Sequence, residues 1–555
     1  MLKAVPLHSI LFGVLPVLCA YSSLVAYLLP EELVLPLIVS LALAIVVLLL
    51  SYACLRNWCR AGIVTSAFVL MNFSFDAMAA PANRLLSSLA LPHDDRVYLV
   101  PFTLLIFTII YLLLKAKSDY KAATSCLNIM SLLLVMGNAV YIAWHEYKIS
   151  LTMNKIYQND DKELATIDLK PVRHSNNSNE SSKSNESPDI YYFILDAFGR
   201  SDTLKEIYDF DNSSFIDGLK RRGFIIPDGS RSNYQMTCLS LPSSLNMQYL
   251  DYLEPTLGRN SADYSVLYRL IQRNKVTSLL KGLGYRYVNV RSGWSPTDYM
   301  PNADVNVGFA YGNVFHLALL RNTLIGPWQR DFDFLGWAAR KVRLYGLQNI
   351  ESIAQLQFQS QAQSVLPPCS TSAPKFVFVH IVVPHPPFLF NEDGNTYPLG
   401  VISLSDKFEK EKYVAQVKFI QKQVLAMLDQ LDKNPRKKVV IIQGDHGPAL
   451  QNGSDGNPSP AFLRERMRIL NAYRLPDADS SLIYDGITPV NSFRVILNHY
   501  FDAKLPLLAD KCIYSPNPTP LQFVDVTKEV TTDETKDVTK ETKLDTPTKV
   551  ATDTH

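Results

Sequence analysis

Between Ser9 and Trp144 the chain runs through five apolar stretches separated by short polar turns: roughly Ser9–Leu29, Leu33–Leu55, Ala61–Ala80, Tyr98–Leu114 and Thr124–Trp144. Each approaches the ~20 residues that a helix needs to cross a bilayer. Inside lipid a backbone must satisfy its own N–H and C=O groups, which leaves such stretches little choice but helix. Residues 1–145 therefore read as a bundle of five membrane spans. The third is the least apolar, because Asn72, Ser74 and Asp76 interrupt it, and a re-entrant or interfacial segment is the alternative there. The first is too long for a signal-peptide core, lacks a clear cleavage site and is followed by further spans.

Loop charges give an orientation. Arg56 and Arg60 follow the second span, and Lys115, Lys117 and Lys121 follow the fourth. Glu31, Glu32, Asp94 and Asp95 occupy the first and third loops. The positive-inside rule places loops two and four in the cytoplasm. Everything after Trp144 is then expected outside the cytoplasm, attached to the cell membrane.

Residues 146–188 read as a polar, partly helical connector and a Ser/Asn-rich linker with Asn-x-Ser sequons at Asn176, Asn179 and Asn185. Residues 189–514 are patterned as a globular domain. Apolar strand-like runs at Ile190–Leu195, Phe224–Ile226, Tyr285–Val290, Phe376–Val383 and Val439–Ile442 are interleaved with helical runs at Asp211–Arg222, Val276–Gly282 and Tyr413–Leu431. That alternation predicts an α/β fold with a largely parallel central sheet. Residues 515–555 are rich in Thr, Lys and Asp, and are expected to be a disordered tail.

A net charge of +2 with 19% charged residues points to no nucleic-acid partner. The outer domain holds three cysteines, Cys238, Cys369 and Cys512, without metal-type spacing. At most one disulfide can form among them, Cys369–Cys512 being one pairing.

Three apolar strands end in groups that bind metals or move protons. The first ends at Asp196, the second near His380 and His385, and the third at Asp445-His446-Gly447. Ligands of open α/β sheets collect beyond the carboxyl ends of the strands, so the three endings predict one site. Adjacent Asp and His can both turn onto one cation, and Gly447 lets the backbone bend. Between the first two endings lies Ser230–Asn246, dense in hydroxyls. A helix starting near Thr237 would bring that hydroxyl beside first-turn N–H groups, ready for an anion.

YYFILDAFGRSD, SNYQMTCLSLPSSLN, HIVVPHPPF and VVIIQGDHGP occur in that order. The set resembles the alkaline phosphatase/sulfatase superfamily, and within it the membrane-anchored branch that includes lipoteichoic acid synthases and lipid A phosphoethanolamine transferases. The resemblance implies an alkaline-phosphatase-like (sulfatase-like) domain behind the five-helix transmembrane bundle. It implies Thr237 as nucleophile, and Asp196, Thr237, Asp445 and His446 as metal ligands. His385 matches a catalytic His on the substrate side. His380, which lies within a strand, and Arg466 are candidate substrate contacts.

Two departures stand out. Cys238-Leu239-Ser240-Leu241-Pro242 lacks the Pro and Arg of the Cys/Ser-x-Pro-x-Arg motif from which sulfatases make their nucleophile. Pro448–Asn471 contains no His, so one divalent metal is expected and a second has no evident ligand. The mixed O/N donor set suits Mn²⁺, Zn²⁺ or Mg²⁺. The expected activity is phospho-group transfer from a membrane lipid donor to an envelope glycan or lipid acceptor through phospho-Thr. The alternatives are a phosphodiester or phosphomonoester hydrolase of the same fold and a non-catalytic membrane scaffold.

Overall fold

The computed structural model describes residues 5–89, 94–116, 118–172, 187–308, 314–328, 341, 343–350, 352, 373–397, 410–449 and 457–532. The N-terminal apolar stretches are helices: α1 (Leu7–Ser23), α2 (Val34–Leu55), α3 (Trp58–Phe73), α4 (Phe75–Ser88), α5 (Leu99–Lys115) and α6 (Lys121–Leu164).

Five spans are not what this region shows. Three helices are long and apolar enough to cross a membrane, and a fourth span results if α3 and α4 count as one. That pair is bent by 49° at Ser74, within the Asn72/Ser74/Asp76 interruption. α1 has only 17 residues, about 25 Å of helix against a core of ~30 Å. It stops where the Ser22 and Ser23 hydroxyls turn back onto the carbonyls of Cys19 and Ala20.

α6 is a single helix of 44 residues. The expected fifth span and the expected connector are therefore one rod, about 66 Å long. Its outer half is bound to the α/β domain. Ile149, Met153 and Ile156 pack with Tyr234, Leu239 and Leu267. Charged pairs fix the register: His145 Nε2 to Asp263 (2.8 Å), Arg273 to Asp161 (3.0 Å), and Lys275 to Glu163 (2.7 Å) and Asp160 (3.3 Å). Linker residues 173–186, with their sequons, lie outside the described residues.

The sheet has the order β3-β2-β4-β1-β5-β6. Its strands are β1 (Asp189–Leu195), β2 (Arg286–Val290), β3 (Val305–Val307), β4 (Lys375–Ile381), β5 (Lys438–Gln443) and β6 (Asn471–Arg474). All pairs are parallel except β5 with β6. Both faces of β1 are apolar because both are covered. Tyr191, Phe193 and Leu195 enter one core, while Ile190, Tyr192 and Ile194 enter the other. Helices α7 (Ser201–Tyr208) and α8 (Ser213–Arg221) follow β1, and α9 (Thr237–Asn246) comes next. The long helix Lys410–Leu431 precedes β5, as expected.

Two expectations are corrected. Phe224–Ile226 makes only one isolated bridge, Ile225 to Tyr473, because Gly223 at φ 81° and Pro227 confine it. Order also continues past 514. Ile513–Tyr514 (β7) pairs with Val524–Asp525 (β8), and a helix follows at Thr527–Thr531. Leu521, Val526 and Val530 are buried anchors that the polar composition of this stretch conceals. Residues 533–555, and Cys369 with its pairing to Cys512, lie outside the described residues.

Lys275 is 3% exposed and is the cation that both Asp160 and Glu163 approach. Glu163 is 54% exposed and Asp160 15%, so losing the cation leaves only Asp160 poorly solvated. Lys275→Met should lower the unfolding free energy of the solubilised protein by about 1 kcal/mol. Calorimetry or denaturant titration checks this, and a variant as stable as the parent would show that the clamp contributes nothing.

Candidate active site

β1 lies between β4 and β5, with Ile194 opposite His380 on one side and Gln443 on the other. In-register parallel strands end at one height. Asp196 and Asp445, each two residues past that level, therefore meet across the strand ends. Beyond Asp196 the chain turns sharply, with Ala197 in the left-handed region at φ 63°. A non-glycine residue there carries about 1–3 kcal/mol of strain. The turn aims the Ala197 N–H at Asp445 Oδ1 (3.1 Å), and Tyr413 Oη donates to the Ala197 carbonyl (2.9 Å).

Two glycines bracket Asp445-His446. A Cβ on Gly444 would lie 2.5 Å from the Phe198 carbonyl oxygen, and one on Gly447 would lie 2.1 Å from that of Glu465. Neither glycine has positive φ. Close approach of neighbouring backbone, rather than the expected bend, is what requires Gly447. His446 Nδ1–H donates to the Gly447 carbonyl (2.9 Å). This turns the Nε2 lone pair inward, 3.5 Å from Asp196 Oδ1 and 3.4 Å from Asp445 Oδ2.

Thr237 is the first residue of α9, where the sequence places a helix start. Its Oγ1 is 3.1 Å from His446 Nε2, and the Asp445 carboxyl lies beside it. The N–H groups of Leu239 and Ser240 donate to the Met236 carbonyl. Those of Thr237 and Cys238 have no backbone acceptor among the described residues. Cys238 itself is buried, and burial pushes its thiol up to about 12. It is thus no thiolate nucleophile, in line with the missing Pro and Arg.

His380 faces the site although it lies within β4. Its Nδ1 is hydrogen-bonded to Thr297 Oγ1 (2.8 Å), and its Nε2 lies 3.5 Å from Asp196 Oδ2. Trp294 meets its ring edge-on at 5.5 Å. His385 Nδ1 donates to the Pro386 carbonyl (2.6 Å). Asp196, His385 and His446 offer ligand atoms all within 4.8 Å of one another. His385 therefore stands with the metal-binding groups, closer than a purely substrate-side residue need be. Arg466 Nε and Nη1 donate to the carbonyls of Gln235 (2.8 Å) and Gly447 (2.7 Å), and Nη2 reaches His446 Nε2 (3.1 Å). All seven residues named from the sequence thus gather at one edge of the sheet.

Trp294, Thr297 and Arg343 were not singled out in the sequence. The first two follow β2, whose carboxyl end carries Arg291 but no adjoining Asp or His, and Arg343 stands in no motif.

The electrostatics fit a cation. Burial and the neighbouring charge of Asp196 push the Asp445 carboxyl up to about 7. Burial acts the same way on Asp196, but the rings of His385, His380 and His446 outweigh it and pull that carboxyl down. Burial, with Arg466 adding to it, pushes the His446 imidazole well down, so it stays neutral. Asp196 Oδ1, Asp445 Oδ2 and His380 Nε2 are buried without a hydrogen-bond partner. Orphaned anionic oxygens are costly, and a divalent ion satisfies them together. The buried cluster of Asp196, His385 and His446 could therefore hold a metal ion, with Asp445 and Thr237 adjoining it.

Elemental analysis of the purified protein should find about one divalent ion per chain. Asp196→Asn and His446→Ala should each lose it. Gly447→Ala forces His446 away from Glu465 and should weaken metal affinity about 10–100-fold, as loss of a supporting contact does. Full metal content in all three variants would refute the site.

The model of the Sulfatase family matches residues 188–469. No curated protein matches the chain by sequence. Among solved structures, the C-terminal periplasmic domain of EcEptC from Escherichia coli, in complex with Zn, is similar at 11% identity, covering 62% of this chain and 94% of that one, with a TM-score of 0.39. The soluble domain of lipooligosaccharide phosphoethanolamine transferase A from Neisseria meningitidis is similar at 10% identity over 59% of this chain and 90% of that one, with a TM-score of 0.37. The integral membrane protein EptA from the same organism is 12% identical over 90% of this chain and 95% of that one, with a TM-score of 0.35. Likenesses this distant bear on neither substrate nor mechanism. The family match covers more than half of the chain and takes in Asp196, Thr237, His385, Asp445, His446 and Arg466, so the chain belongs to the sulfatase family.

Proposed function

We propose that this membrane protein transfers a phosphoalcohol group from a lipid donor to an envelope glycan or lipid through a phospho-Thr237 intermediate. Family membership makes it an enzyme acting on phosphate or sulfate esters. The observation that carries the lipid donor is the contact between the site and the membrane bundle. The loop joining α1 to α2 reaches the outer domain, where Glu31 accepts from Gln272 Nε2 (2.8 Å), the Glu32 carbonyl accepts from His316 Nε2 (2.8 Å) and the Glu32 carboxyl lies beside Ser295. Ser295 follows Trp294, whose ring rests on His380, and His380 stands beside Asp196. A headgroup at the membrane surface is then a few side chains from the metal cluster.

Asp196, Asp445, His446 and the Thr237 oxygen would hold the divalent ion, with His385 beside them. When bound, such an ion stabilises negative charge on the Thr237 oxygen and on the phosphoryl oxygens. The Asp445 carboxyl beside the Thr237 hydroxyl, raised toward neutral pH by burial, would take its proton. Thr237 Oγ1 forms a bond to phosphorus while the bond from phosphorus to the lipid glycerol oxygen breaks. The electron pair leaves on that oxygen, which takes a proton; we assign its delivery to the imidazolium form of His385, in which Nδ1–H stays tied to Pro386 and an Nε2–H taken up beforehand from solvent is the proton given up. An acceptor hydroxyl then attacks the phospho-Thr ester and releases Thr237. Water in that second step gives the hydrolase reading.

Thr237→Ala should cut release of diacylglycerol from labelled phospholipid by about 10³-fold or more, and Thr237→Ser should restore part of it. Full activity in the Ala variant would remove Thr237 from the mechanism. The label should pass to a glycan or lipid acceptor rather than to a free phosphoalcohol.

This reading also takes α1, buried among α2, α3 and α6, as a crossing in its own right. With the bent pair counted once there are five crossings, and the site lies outside the cytoplasm. A reporter fused after Trp144 should be active only outside. Cytoplasmic activity there would overturn both statements.

A further inference from the structure

Between β3 and β4 the chain returns to the sheet as a short helical segment, residues 343–348. Leu344 and Leu347 are fully buried among Val288, Val290, Val379 and Ile381. The segment lies hard against the sheet: a Cβ on Gly346 would come 2.5 Å from Val379 Cγ1 and 3.1 Å from Val290 Cγ1. Val379 immediately precedes His380, and Val290 ends β2. Arg343 stands three residues before Gly346, on the same side of the helix. Its side chain therefore issues at the carboxyl ends of β2 and β4, beside the metal cluster.

Among the described residues the guanidinium there has no counter-ion within pairing distance. Its Nη1 is out of solvent and has no hydrogen-bond partner. Burial pushes its pKa down to about 10, with Asp196 opposing, and its charge in turn lowers the pKa of His385. Asp196 is close enough to act on Arg343 through space, yet no hydrogen bond joins them among the described residues. Arg343 is thus half-buried with at least one N–H out of solvent and unpaired among the described residues. The other arginine of the site differs. Arg466 spends Nε and Nη1 on the carbonyls of Gln235 and Gly447. Arg343 keeps its fork of donors uncommitted.

We propose that Arg343 is a substrate-binding residue, whose guanidinium takes the non-bridging oxygens of the phosphodiester undergoing transfer. This rests on the phospho-group reading of the site. A planar fork of N–H donors matches two phosphoryl oxygens, and a lysine supplies the charge without the fork. As Thr237 Oγ1 bonds to phosphorus, negative charge grows on those oxygens. A donor fixed there, on a helix pinned to the sheet, stabilises the transition state more than the ground state.

The test uses the full-length, metal-loaded protein in detergent, with inorganic phosphate as probe and labelled phospholipid as substrate. Phosphate should raise the melting temperature of the parent and not that of Arg343→Gln. Metal content should match in the two proteins. Arg343→Gln should lower kcat/KM about 10²-fold, and Arg343→Lys should recover part of it. Equal stabilisation by phosphate in parent and Arg343→Gln, with turnover within about threefold, would overturn the assignment and leave the phospho-group reading intact. Loss of metal from both Arg343→Gln and Arg343→Lys would overturn it too, by making the residue structural. Arg343-dependent phosphate binding in a parent that turns over no phospholipid would uphold the anion site while the proposed lipid-donor activity failed.

Discussion

The arrangement depends on two carboxylates forced together. The pairing of β1 with β5 sets Asp196 and Asp445 at one height, and burial denies both of them water. Burial pushes the Asp445 carboxyl up to about 7, and repulsion from Asp196 adds to it. Much of the surrounding structure holds the pair in place in spite of it. Ala197 accepts a left-handed backbone so that its N–H can meet Asp445. Gly444 and Gly447 let neighbouring carbonyls close in, and Gly447 also fixes the tautomer of His446. A divalent cation held by Asp196 and Asp445 would neutralise the repulsion between them.

The second constraint is placement. The outer domain does not hang from the membrane on a flexible tether. α6 runs from the bundle into the domain without a break, and ion pairs along its outer half fix its register. A second contact comes from the domain side: Phe315 and Leu319, in the helix Val314–Arg321, pack on Val17, Tyr21 and Val25. Such a rigid offset is what the proposed lipid-anchored donor would use.

The sequence made the site legible because its ligands sit at strand ends, and apolar runs such as Val439–Ile442 mark those ends without ambiguity. Thr237 was legible as a helix start, and α9 begins there. What stayed hidden was set by tertiary contacts. Whether His380 faces the core or the site depends on the β1–β4 register and on Thr297, neither of which is local to it. β6 is only four residues, Asn471–Arg474, and exists because β5 offers it an edge. The ordered stretch after residue 514 rests on three apolar anchors scattered through polar sequence. In the membrane region composition marked where apolar helix occurs. It could not show that α1 ends at Ser23, or that α6 ignores the polarity change after Trp144.

The most direct measurement is anomalous diffraction from crystals grown with Mn²⁺, collected at the metal's absorption edge. One peak lodged between Asp196, Asp445 and His446 is the predicted result. An absence of any peak there, with the carboxyl oxygens and the imidazole hydrogen-bonded to one another instead, would contradict it.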